Sequence, residues 1–229
     1  MVSSVLSSIP TYHLTTFPFS KWAIRHIDRI RRSFLWRGEE SAKGGHCQVN
    51  WKRVCRPKKL GGLGIPELNN FARALLLRLL WLHWTDSNRP WSGFQVKVTQ
   101  AELDLFRTCT SITVGNGERT CFWKDRWLFG QAPMDIAPLC YRLAWRKNKT
   151  VTQSMQQNSW MRGLQRISTS EELHQFVNLW EKLQSVHLAP QPDQITWRFT
   201  TNGEYSCRSA YQVQFRAPTR TSNGTRFGA

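Results

Sequence analysis

The sequence predicts an α+β chain, mainly α with small β-hairpins: a helical N-terminal bundle, two short hairpins and a disordered C-terminal tail. Three observations predict it. Apolar residues recur at three- and four-residue spacings in several segments, alternate in two others around Asn-Gly turns, and lose all pattern after residue 215. The chain has 229 residues, 40% of them hydrophobic. That length lets roughly 70–75% of the unfolded surface be buried without disulfides or metals.

The first helix is expected from about Ser20 to Arg37, with Ser20 as N-cap and Gly38 as the stop. Ala23, Ile27, Ile30 and Phe34 form its apolar stripe, and Arg25, Arg29 and Arg32 repeat on nearly the opposite side with Trp36 among them. Asn50 can cap a short helical turn of Trp51 to Val54, ended by Pro57. The glycines 61, 62 and 64 that follow lack the spacing of a phosphate-binding P-loop and read as a tight turn that tucks Leu63 and Ile65 inward. Pro66 suits the first position of a helix running to about Trp84, whose stripe Leu68, Phe71, Ala72, Leu75, Leu79 and Leu82 is flanked by further leucines. A helix apolar on most sides is buried on most sides.

Beyond a short helix at Thr99 to Arg107, Gly115-Asn116-Gly117 predicts the turn of a first hairpin. A helix from about Ser170 to Ser185 has Leu173, Phe176, Val177, Trp180 and Leu183 on one face, and Pro190 and Pro192 mark a boundary. Ile195, Trp197 and Phe199 alternate before a turn at Asn202-Gly203, predicting a second hairpin and then a helix near Ser209. The expected divisions are 1–95, a basic helical region; 96–192, a connector; 193–215; and the tail 216–229.

The charge narrows the function classes. Thirty-two Lys and Arg face 15 Asp and Glu, for a net charge of +17 and a pI near 10.4. A polyanionic partner is favoured, nucleic acid before an anionic membrane surface. Lys21 to Lys59 alone holds 12 basic and 3 acidic residues. Its cationic face reads either as a solvated surface or as a set of phosphate contacts with an aromatic beside them. The longest apolar stretch, Ala74 to Trp84, is interrupted by Arg78 and His83 and too short to span a bilayer. The N-terminus lacks the pattern of a signal peptide, so the chain is expected inside the cell. The six cysteines are scattered, without the close ligand pairs of a zinc site, and even His46, Cys47 and Cys55 read as thiols in and near a loop.

The strings IRRSFLWRG, VNWKRVCRPKKLGGLGIPELNNFARALLLRLLW, VGNGERTCFWKDRW and ITWRFTTNGEYSCRSAY, in this order, resemble the C-terminal part of plant non-LTR (LINE-type) retrotransposon polyproteins. The resemblance covers about residues 5 to 215. It places the chain after the reverse-transcriptase palm, from a thumb-like region to the start of a zinc-binding module. The family's polymerase requires adjacent aspartates to hold Mg²⁺. Here the six Asp residues are all isolated, and the tail holds neither Cys nor His. The chain therefore reads as an internal slice of such a polyprotein, without a catalytic site, a metal or a cofactor. The resemblance implies phosphate contact by Arg25, Arg29, Arg32, Lys52, Arg53, Lys58 and Lys59, and the helix pattern adds Trp36. The expected partner is an RNA or DNA duplex backbone, with a reverse-transcriptase palm domain beside it, in the nucleus, and with no membrane or small-molecule substrate. The alternative is a degenerate remnant or a protein-interaction module. Trp123, Asp125, Arg126 and Trp127 match a family signature whose plainest reading is packing.

Overall fold

A computed structural model describes residues 20–38, 49–86 and 98–215 of the chain. The expected disordered tail and the His46-Cys47 pair lie outside the described residues. Two units divide the chain: Met1–Val98 with Ser206–Arg216, and Thr99–Tyr205 with Ala217–Ala229. The segment 193–215 is thus shared between them, its strand in the second unit and its helix in the first.

In the first unit, α1 spans Lys21–Arg37. The Ser20 hydroxyl accepts from the Ala23 N–H at 3.2 Å, and Gly38 ends the helix at φ 75°, a left-handed conformation that favours glycine. The inner stripe is turned by about one residue from the expected one. Ile24 and Arg31 are buried, and Ile24 packs with Leu68 and Leu75 over Ile27 and Phe71. An arginine within the apolar stripe hides that phase from the sequence pattern. Phe34, Leu35, Trp36 and Trp51 pack on a second cluster of Val54, Cys55 and Ile65.

Helix α2 is the turn Trp51–Val54, where the Asn50 side chain accepts from the Lys52 N–H at 2.9 Å. A 3₁₀ turn at Lys58–Leu60 follows. The chain then folds back, with Leu63 N–H donating to Val54 O at 2.9 Å and Gly64 N–H to Arg56 O at 3.0 Å. A Cβ on Gly62 would lie 2.0 Å from Arg56 O, so this approach requires glycine. Ile65 is buried as expected, but Leu63 is 55% exposed, because the fold-back turns it to solvent.

Helix α3 spans Leu68–Thr85 and starts later than Pro66 suggests. The Glu67 carboxylate caps it, accepting from the N–H groups of Asn69 and Asn70. Leu68, Ala74, Leu75, Leu77 and Trp81 are all buried along it. The C-terminal helix of the described chain, Cys207–Val213, packs on α3 with Ser206 as its N-cap. Tyr211 ties it down: its hydroxyl accepts from Glu67 N–H at 2.9 Å and reaches Cys55 O at 3.5 Å. Gln214 bonds Asn70 O and Arg73.

In the second unit, α4 spans Gln100–Cys109, started by a reciprocal capping box between Thr99 and Glu102. It runs into β1, Thr110–Thr113. The two expected hairpins are replaced by one long-range pair. β1 lies antiparallel to β2, Gln194–Trp197, with Thr110 opposite Trp197 and Thr113 opposite Gln194. Gly115-Asn116-Gly117 does not reverse a hairpin because its glycine amides are turned onto Asp193 and its Asn116 amide onto Gln191 O. The Asn202-Gly203 turn does close, Trp197 N–H donating to Gly203 O at 2.6 Å. Its return arm forms no strand, and Tyr205 packs edge-on against Trp197 instead.

Short helices at Pro133–Ile136 (α5), Pro138–Leu143 (α6), Val151–Met155 (α7) and Ser159–Arg162 (α8) surround an aromatic core. Phe122 contacts Trp123, Trp127 and Trp160, and Trp160 contacts Phe176. Phe176 comes from α9, Ser170–Gln184, capped by Thr169 with Glu172. Its buried side chains are Leu179 and Leu183, whereas Leu173, Val177 and Trp180 are exposed, so the buried face is again rotated from the expected one. No helix among the described residues is long and apolar enough to cross a membrane.

Candidate nucleic-acid interface

All eight residues expected to contact nucleic acid belong to the first unit. Arg25 and Arg29 stand exposed on α1, and Lys52, Arg53, Lys58 and Lys59 are exposed on α2 and the turn after it. Arg32 is half-buried, its Nε donating to Asp28 O at 3.2 Å. Among the described residues no carboxylate pairs with any of these seven cations, and all of them except Arg32 are exposed. Trp36 differs, since it packs on the Val54, Cys55 and Ile65 cluster with its indole N–H buried and unpartnered among the described residues.

The exposed aromatic is Trp22, 73% accessible, with its ring stacked on His26 at 5.4 Å. At about 100° per residue, Trp22 falls within one narrow sector with Arg25 and Arg29. Its three- and seven-residue spacings to those arginines were the available signal in the sequence.

Arg31 fixes this face from below. Its guanidinium donates to Asp28 Oδ1 at 2.8 Å and to Pro66 O at 2.6 Å, and lies 5.4 Å from the Trp51 ring centre. It thereby joins α1, α2 and the start of α3. Burial raises the Asp28 carboxyl above its ordinary value, opposed by Arg31. Burial likewise pushes the Cys55 thiol and the Tyr211 phenol up to about 12. A thiol held so high is a poor nucleophile and a poor metal ligand.

In the second unit the loop after β1 closes around an internal anion. Asp193 Oδ1 accepts from the N–H groups of Gly115 and Gly117, each at 2.8 Å. Its Oδ2 accepts from Arg119 N–H, Thr120 N–H and the Thr120 hydroxyl, the last at 2.7 Å. Burial pushes this carboxyl upward, but the Thr120 hydroxyl and the loop amides outweigh it and hold it below its ordinary value. A Cβ on Gly115 would lie 2.0 Å from Gln191 O, so the glycine lets the loop reach its anion. Both glycine amides of this loop are spent on the protein's own carboxylate.

The Trp123–Trp127 signature is structural. Trp123 and Trp127 are buried, and the Trp127 indole donates to Phe122 O at 2.8 Å. Asp125 accepts from Arg107 at 3.0 Å and from Cys121 N–H at 2.7 Å, while burial raises its carboxyl. Arg126 faces Asp135 at 3.5 Å. Cys109 is pushed by burial to about 12 and Cys140 to about 11. Among the described residues no group of three or more His, Cys, Asp or Glu could hold a metal ion.

These features define a basic α+β chain with an outward cationic helix face and no clustered chemistry among the described residues. In sequence it is similar to a protein of Arabidopsis thaliana named as a ribonuclease H protein, 26% identical over 93% of this chain and 38% of that protein. It is also similar to an uncharacterized mitochondrial protein of Arabidopsis thaliana, 26% identical over 56% of this chain and 97% of that one. The chain thus spans well under half the length of the ribonuclease H relative. No family model and no solved structure matches it.

Proposed function

We propose that this chain is a non-catalytic, retroelement-derived fragment, related to LINE-type reverse transcriptases, that binds the nucleic-acid backbone without sequence preference. The observation that carries this reading is the outward face of the first unit. Trp22, Arg25 and Arg29 share one sector of α1, and Lys52, Arg53, Lys58 and Lys59 stand exposed with no carboxylate partner among the described residues. Such a surface neutralises phosphates and releases their counterions, which is how sequence-independent binding arises. The relative named for ribonuclease H and the four matching strings support the retroelement origin. The isolated aspartates support the absence of polymerase chemistry. In this reading the chain acts inside the nucleus, beside a reverse-transcriptase palm domain.

Fluorescence anisotropy against two unrelated 20-base-pair duplexes at several salt concentrations tests the proposal. Equal affinities are expected, with log K falling against log salt by about 0.9 for each phosphate neutralised. Converting Arg25, Arg29, Lys52 and Arg53 together to Gln should flatten that slope. Absence of binding at low salt would overturn the reading. A second reading, a protein-interaction module, is favoured by the exposed Leu173, Val177 and Trp180 stripe on α9. It requires a duplex affinity that the four-residue variant leaves unchanged.

A further inference from the structure

The second unit has an open cleft of about 740 Å³ lined by Arg146, Lys149, Gln153, Gln156, Gln157 and Ser159. That volume lies within the range of about 300–1,000 Å³ typical of ligand sites. Its lining contains two cations and no carboxylate, so it selects an anion. It also contains three amide side chains, which offer acceptors as well as donors. A small inorganic anion would use only donors. A phosphodiester bearing a base uses both.

The site is assembled by the fold. Lys149 Nζ donates to Ser159 Oγ at 3.1 Å, and Ser159 Oγ donates in turn to Gln153 O. Gln153 Oε1 accepts from Thr150 N–H, which holds the side chain at the start of α7. Gln157 and Asn158 are held at φ 50° and 53°, between α7 and α8, which are anchored by buried Val151 and Trp160. Two consecutive non-glycine residues in the left-handed region persist only where their surroundings impose it. Trp145, 72% exposed, immediately precedes Arg146, and its backbone is pinned by a 2.8 Å bond to Gly163 O. It offers a base an aromatic plane to stack on.

We propose that this cleft binds single-stranded nucleic acid, with a phosphodiester against Arg146 and Lys149, the base edge on the glutamine amides, and a neighbouring base on Trp145. The open side of the cleft suits a strand that passes through it. The cleft belongs to the second unit and α1 to the first, and the cleft's proposal stands or falls independently of the duplex proposal.

The test uses the full chain and a fluorescein-labelled ten-residue oligothymidine, followed by anisotropy at several salt concentrations. Converting Arg146 and Lys149 to Gln should lower the salt slope by about 1.4, two single-strand contacts at about 0.7 each. Trp145→Ala should weaken oligonucleotide binding about fivefold or more. Both variants should bind duplex as the parent does. Arg146→Gln alone changes only an exposed side chain and should lower the slope by about 0.7. Parental oligonucleotide binding by all three variants would overturn the proposal. So would full competition by inorganic phosphate at matched ionic strength, or transfer of the whole effect to an Arg25→Gln/Arg29→Gln variant.

Discussion

Each unit holds a buried charge that ties separate stretches of chain together, a cation in the first and an anion in the second. In the first, Arg31 is 1% exposed and, among the described residues, donates to the Asp28 carboxylate and the Pro66 carbonyl beside the Trp51 ring. In the second, Asp193 is 8% exposed and is satisfied by the Thr120 hydroxyl and four backbone N–H groups. The cation links helices through side chains, whereas the anion shapes a loop through its backbone. A cation with five donors in a planar fork can join separate elements, and a carboxylate can gather several amides of one chain segment. Removing either charge should therefore damage different structure.

The largest effect is expected for Asp193→Ala, which strands the loop amides in a buried site. A stability loss of about 4 kcal/mol is expected in urea unfolding. A loss under about 1 kcal/mol would break the comparison, because the loop would then be held by its glycines alone. Arg31→Met should cost about 3 kcal/mol by leaving the Asp28 carboxylate half-buried without its partner. Adding Asp28→Asn should recover part of that loss, and failure to do so would show that packing, not charge, sets the cost.

Acid should separate the two centres by sign. The Asp193 pKa is lowered in the fold, so its contribution is complete above the ordinary value of 3.8 and is lost as pH falls through the folded value. The Asp28 and Asp125 pKa values are raised, so those carboxyls cost stability as pH rises through their folded values, and acid relieves them. Chemical denaturation between pH 2.5 and 6 should show a steep loss below pH 4 in the parent that Asp193→Asn lacks. The smallest expected effect is that of Thr120→Val, which removes one hydroxyl bond to Asp193 for about 1 kcal/mol, measurable as a shift in the urea midpoint.

What the sequence made legible was local. Ser20 and Gly38 mark the ends of α1 because caps depend on one residue each, and the α+β class follows from the periodicities. Apolar spacing hides the phase of α1 because Arg31 occupies a position on its buried stripe. The same substitution of expectation exchanged the tryptophans: Trp36 falls on the cationic side by spacing, yet packs inward, while Trp22 stays outside. The pairing of β1 with β2 has no local signature, since its partners stand more than 80 positions apart. Asn116-Gly117 most commonly marks a hairpin turn, and Asp193, lying next to Pro192, carries no pattern that ties it to that loop.

The return of the chain to α3 after residue 205 has a consequence for biosynthesis. The second unit is an insertion within the first, because Cys207–Val213 completes the packing begun by Leu68 and Leu75. During translation, a nascent chain whose first 205 residues have left the ribosome holds every described residue of the second unit and still lacks Tyr211 and Gln214 from the first. The cationic unit, begun first, therefore receives its last helix only after every described residue of the second unit has been synthesised.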